Sequence, residues 1–288
     1  MKIIKTLILL SATIAISSFF TSCSKDKGCT DPVALNFDQK AETDDGSCIY
    51  PTSPPPAATT ASVNITFTHN FDGTIVTAND FNTIQYTNQF GNQMSISKLK
   101  YLISDVRFYK ANGDSVVVDG YNFIDLTNTA TLSYALGSVG HDTYTGIGFN
   151  IGFNVIDNIS NYYPDLNAIS WNWPAGLGGG YHYMQLEGQY IDNNSATANY
   201  AYHYGTAREI NLTNDTIYHP NYTLAQINGV TIAGSAVNIE IKMNIAEWFK
   251  NTYTWDLNVY NTMLMPNYNA QILMKQNAPT VFSLGTVN

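Results

Sequence analysis

The chain has 288 residues and a formal charge of −9, with 13 Lys and Arg against 22 Asp and Glu and only 12% charged side chains overall. That balance argues against a nucleic-acid partner, whose phosphates call for clustered cations. The length allows one sizeable domain with its own core and smaller attachments.

The first residues, MKIIKTLILLSATIAISSFF, carry Lys2 and Lys5, then an apolar run, then small residues, which is the anatomy of a secretory signal. The apolar run is short, and the polar TSCSKDKG that follows it argues against a retained membrane span. Phe20-Thr21-Ser22-Cys23 reads as a loose lipobox. Residues 1–22 are therefore expected to be a lipoprotein signal peptide, with Cys23 the acylated first residue of the mature chain. Loss of Lys2 and Lys5 would leave the remainder more acidic still. Membrane attachment would then come from the acyl chains and not from anionic headgroups. The expected location is the cell envelope, lipid-anchored at the outer membrane, on its surface or its periplasmic face.

Residues 23–50 form a lipid-anchored acidic module. In an oxidising envelope its remaining cysteines, Cys29 and Cys48, are expected to pair as a disulfide. They bracket CTDPVALNFDQKAETDDGSC, where Asp31, Asp38, Asp44 and Asp45 could offer oxygens to a hard cation such as calcium. The competing reading is a solvated spacer, stapled because it is too small to bury a core. The stretch closely resembles a short module of secreted Bacteroidota proteins, C-T-D-x-x-A-x-N-[YF]-[ND]-x-x-A-x-x-D-D-G-S-C. PTSPPPAATT, residues 51–60, then reads as a proline-rich, semi-rigid linker.

Residues 61–288 alternate apolar and polar positions repeatedly. SVNITFTHN places Val63, Ile65 and Phe67 on one face, with His69 continuing that side. MSISKLKYLISDVRFYK alternates with a change of phase near Leu99, which predicts a bulge or bend there. VVVDGYNFIDL, YTGIGFNIGF, YHYMQLEGQYI, AVNIEIKMNI and PTVFSL add further strand-like runs, and Asn112-Gly113 is a good hairpin turn. Only AEWFKN and NDFNTIQY look helical. The rhythm, together with 20 tyrosines, predicts an all-β antiparallel sandwich or barrel-like domain with short helical insertions.

The ordered series THNFDG, QYTNQFGNQMSISKLKYLISDVRFY, YNFIDL, YTGIGFNIGFN, WNWPAGLGGGYHYMQLEG, YAYHYGT and NAPTVFSL resembles the MbnP-like family across residues 62–284. The family is named for the periplasmic partner protein encoded beside methanobactin genes. The resemblance implies a β-rich envelope protein that binds copper through histidines, with an oxidised tryptophan (kynurenine) contributing in some members and a di-haem peroxidase-like partner making that modification. His203 in YAYHYGT matches the family's histidine signature, and His69 in THNFDG matches a frequent one. Met184 is a candidate softer third ligand. Trp171 and Trp173 match the tryptophan-bearing motif, as precursors of an oxidised residue or as a lid. The sequence departs from the pattern where Phe67 and Ala201, two residues before the histidines, are not tryptophans. It departs again in the inserted Pro-Ala-Gly-Leu-Gly-Gly after WNW.

His182, His141 and His219 are expected to face solvent. Met263 and Met265 read as packing. Glu187 reads as a buried carboxylate satisfied by backbone N–H groups, since Asp125 or Asp157 could be made its glycosidase partner only arbitrarily. No nucleophile motif is present, so no enzyme is expected. The resulting function is copper scavenging or handling by a non-enzymatic lipoprotein. The alternative is an adhesion or carbohydrate-binding sandwich that uses exposed tyrosines and tryptophans, with calcium in the acidic module.

Overall fold

The structure is a computed structural model that describes residues 25–50 and 59–288. The expected signal, Cys23 and most of the proline-rich linker lie outside the described residues. Two compact units separate at Ala57 and Ala58. In the first, Cys29 and Cys48 form the expected disulfide, and Lys27–Gly28 pairs in parallel with Thr43–Asp44. Among the described residues no helix is long and apolar enough to cross a membrane.

The second unit is built from β1 (Thr60–Phe71), β2 (Lys98–Tyr109), β3 (Ser115–Asp125), β4 (Ser133–Gly140), β5 (Asp142–Ile151), the short helix α1 (Pro164–Ala168), β6 (Met184–Ile191), β7 (Thr197–Tyr204), β8 (Thr223–Ile232), β9 (Ala236–Asn244), α2 (Tyr268–Asn277) and β10 (Phe282–Val287). One sheet is centred on β1, with β4 antiparallel on one edge, β9 parallel on the other, and β10 beyond β9. In the larger sheet β2 holds β3 along one edge. Its other edge pairs first with β6 and then with β5, while β7 extends from β6 and β8 from β5. The two sheets pack face to face. Val63, Ile65 and Phe67 of β1 meet Leu99, Tyr101 and Ile103 of β2 in one buried cluster. All-β architecture follows from the two-residue alternation, which gives each strand one apolar face to bury. Among the described residues of this unit, the β1–β9 pair is the one parallel departure from an otherwise antiparallel plan.

Three local expectations change. The phase change in β2 falls at Asp105 and not near Leu99: the ladders to β3 and β5 both shift register there, and Asp105 takes φ +53°. Odd positions up to Ile103 and even positions from Val106 therefore share the same core. NDFNTIQY forms only a single 3-10 turn at Ala78–Asp80, and AEWFKN a 3-10 segment within Ile245–Phe249. Among the described residues the longest helix is α2, which the apolar periodicity alone does not predict. Its buried Ala270, Gln271, Met274 and Asn277 recur at helical spacing, and Asn267 caps it by accepting the Ala270 N–H. The signal was present but diluted by polar residues.

The long connection from β5 to β6 covers the outer face of the larger sheet. Phe153, Leu166, Trp171 and Tyr181 gather there around Leu102 in a second buried cluster. This cover explains why a strand expected to have one wet face is buried on both sides around Leu102.

Candidate metal centre

The stretch WNWPAGLGGGYH closes on itself. Trp173 N–H donates to the Gly180 carbonyl, and His182 N–H to that of Trp171. The reversal uses Gly178, Gly179 and Gly180 at φ +113°, +67° and +79°, three successive left-handed residues that a side chain would strain. A Cβ at Gly205 would sit 2.5 Å from the Trp173 ring, so the indole lies directly on that backbone. The result is a loop that carries both tryptophans back over His182. Trp171 and Trp173 are each only 2% exposed, with ring centroids 5.3 and 4.9 Å from His182. They are buried walls, so neither is available as an exposed sugar-stacking platform. Trp173 Nε1 donates to the Leu177 carbonyl, whereas the buried Trp171 Nε1 has no acceptor among the described residues.

His182 was expected in solvent, but the same loop buries it, and desolvation pushes its imidazole down to about 4. It is therefore neutral near pH 7. Its Nδ1 lies 3.0 Å from the Trp171 carbonyl. A carbonyl only accepts, so Nδ1 carries the proton and Nε2 keeps its lone pair. His203 projects from β7 on the same side, its ring centroid 5.4 Å from that of His182. His203 Nε2 lies 2.8 Å from Glu187 Oε1. The His203 hydrogen bond, assisted by Lys98, holds the Glu187 carboxyl at about 2 against the cost of burial. That carboxylate only accepts, so in the neutral imidazole Nε2–H is the donor and Nδ1 keeps its lone pair. Glu187 is thus satisfied by His203 and Lys98 side chains and not by backbone N–H groups.

Two neighbouring imidazoles therefore each present one free nitrogen, and each has its tautomer set by an oxygen on the opposite side of the ring. Metal-binding histidines commonly have their other ring nitrogen held by an oxygen in this way. The rings lie close enough for one ion, with a metal–nitrogen bond of about 2 Å, to bridge them. Among the described residues no three His, Cys, Asp or Glu side chains are grouped to hold a metal. The donor set fits a low-coordinate ion that accepts imidazole, as Cu(I) does, better than a four-ligand zinc cage.

The pairing of His69 with His203 and Met184 does not form. His69 lies on the core side of β1, 4% exposed, with Nε2 3.0 Å from the Tyr101 hydroxyl. Met184 faces the same core, opposite Tyr101 and Tyr204 in the ladders. Strand alternation turns His203 to the other face of β7, away from both. His141 bonds the Gly234 carbonyl and His219 pairs with Glu209. In the acidic module, Asp31, Asp38, Asp44 and Asp45 each accept a backbone N–H two residues on, from Val33, Lys40, Gly46 and Ser47. Their carboxylates cap local turns, and no group of them forms a cation cage among the described residues.

One sequence signal points to His182: it follows a glycine-rich loop able to fold the preceding tryptophans onto it.

The MbnP family model matches residues 60–266. No curated protein matches the chain. Among solved structures, MbnP from Methylosinus trichosporium is similar with a TM-score of 0.52 at 12% identity, covering 79% of this chain and 99% of that one. At that identity the likeness bears on the fold.

Proposed function

The chain belongs to the MbnP family, and on that premise we propose that it is a non-enzymatic copper-handling lipoprotein of the cell envelope, with His182 Nε2 and His203 Nδ1 as the ligands. The observation that carries this reading is the adjacency of the two imidazoles, each held in a complementary tautomer by the Trp171 carbonyl or Glu187. The ion is cargo: its softness and low coordination number suit a pair of imidazoles. The residues bind and orient. Trp171 and Trp173 shield the His182 side from water, Glu187 and Lys98 fix the His203 ring, and the glycine loop holds the tryptophans in place.

The test is a Cu(I) competition titration against a chelator of known affinity, using residues 24–288 beside the His182→Ala and His203→Ala chains. Tight one-to-one binding that both substitutions abolish supports the site. Binding that survives both removes it. The family resemblance further supports a di-haem peroxidase-like partner acting on Trp171 or Trp173. Mass spectrometry of the peptide containing both residues, from cells with and without such a partner, tests that step. Lipidation at Cys23 is tested by labelling with a fatty-acid analogue and fractionating the envelope.

A further inference from the structure

The smaller sheet has a gap in its edge. β4 pairs with β1 from Thr60 to Thr66, and the two-residue strand Thr74–Ile75 pairs only with Asn70 and Phe71. Between them this edge of β1 has no ladder partner among the described residues, and only the Val76 N–H reaches it, donating to the His69 carbonyl. A cavity of about 770 Å³ opens at this gap, with Phe67, His69, Ile75, Val76, Leu126 and Leu132 in its wall. That volume is in the range of small-molecule sites, and its apolar side chains are interleaved with polar groups, among them Asn70, Thr127 and Thr129.

His69 supplies one of those groups. It is almost wholly buried, its Nε2 is taken by Tyr101, and its Nδ1 has no partner among the described residues. Burial pushes this imidazole down to about 4 and the Tyr101 phenol well above its ordinary value, so both are neutral at pH 7. Their shared hydrogen bond can run either way. If the phenol donates to Nε2, Nδ1–H is a donor; if Nε2–H donates to the phenol oxygen, Nδ1 is an acceptor. A hydroxyl, which can both donate and accept, is served in either case.

The charges at the mouth are already engaged. Glu240 accepts from the Thr68 hydroxyl and from Thr286, and the Lys242 ammonium lies 3.8 Å from it. An anion would meet the Glu240 carboxylate and a cation the Lys242 ammonium, whereas a neutral ligand avoids both repulsions.

We propose that this cavity binds a small, neutral, hydrocarbon-rich alcohol or phenol, its hydroxyl on His69 Nδ1 and its body against Ile75, Val76, Leu126 and Leu132. The site is independent of the His182–His203 centre, since His69 and His203 lie on different faces of different sheets.

The probe is 4-fluorophenol, followed by fluorine NMR with residues 24–288, beside fluorobenzene. Saturable binding on the order of 1 mM or tighter is expected for the phenol. Fluorobenzene and the His69→Phe protein should each weaken binding about tenfold, since either loses the hydrogen bond. Ala78→Trp places a bulky ring at an exposed position in the cavity wall and should abolish it. No saturable binding to the unsubstituted chain overturns the proposal. So does binding that Ala78→Trp leaves unchanged, or fluorobenzene binding as tightly as the phenol.

Discussion

Nε2 of His203 lies 2.8 Å from Oε1 of Glu187, and the same oxygen takes the Lys98 ammonium at 2.7 Å. The relationship is set by register. In the β6–β7 ladder Gln185 faces His203 and Glu187 faces Ala201, so Glu187 and His203 are diagonal neighbours on one face. Across the other edge Glu187 stands opposite Lys98 of β2. Three strands thus determine which nitrogen of one imidazole is left free.

Glu187→Gln should therefore weaken Cu(I) binding without abolishing it. The amide oxygen can still accept from His203, but the charge and the Lys98 pairing are lost. Changing a residue that orients a ligand in this way typically costs about 10–100-fold in affinity. A competition titration that gave an unchanged constant would show that Glu187 does not orient a ligand.

Metal-free stability should fall with acid in a window set by the buried histidines. Burial lowers the folded-state pKa of His69 from 6.5 to about 4. Above pH 6.5 neither state binds the proton and the native chain keeps its full stability. Between 6.5 and 4 the unfolded chain takes up a proton that the folded chain refuses, so stability drops as pH falls. For His69 alone the loss from pH 7 to pH 5 is about 2 kcal/mol, and His182 acts in the same direction. Glu187, held at about 2, adds its own loss only below its ordinary value of 4.5. Urea unfolding at pH 7 and pH 5 should show a smaller pH difference for His69→Phe than for the unsubstituted chain. Equal differences would refute the assignment.

Gly205→Ala should disturb the centre from behind. The new methyl would meet the Trp173 ring at 2.5 Å, and a buried indole packed on backbone has little room to yield. Overpacking of this kind costs about 1–3 kcal/mol. A lowered melting temperature with a shifted tryptophan emission is expected. Gly176→Ala, with no heavy atom within 4 Å of its Cβ, serves as the neutral control.

Cys29→Ser should act on the small unit. Its disulfide joins residues 19 apart, and a loop of that size contributes about 3 kcal/mol by constraining the unfolded chain. Amide exchange in residues 25–50 should become fast, while the melting of residues 59–288 stays the same. Persistent protection in the small unit would mean that its turns hold without the bridge.

Much of the scaffold was legible in the chain. The alternation of Val63, Ile65, Phe67 and His69 read as one buried face, and it is one. Asn112-Gly113 read as a turn, and Gly113 takes φ +91° between β2 and β3. The cysteine pair closed as expected. The candidate centre was less legible. His69 and His203 share motifs with the family, yet they point into different environments, while alternation alone places His182 on a free side that a distant connection covers.

By itself the sequence determined the β class, the disulfide and the core face of most strands, because each depends on periodicity or chemistry within a few residues. Only the tertiary structure decided which histidines meet. That depended on the register of β6 against β2 and β7, and on a distant connection folding Trp171 and Trp173 over one sheet face. Both are long-range arrangements, and no local pattern of residues encodes the distance between His182 and His203.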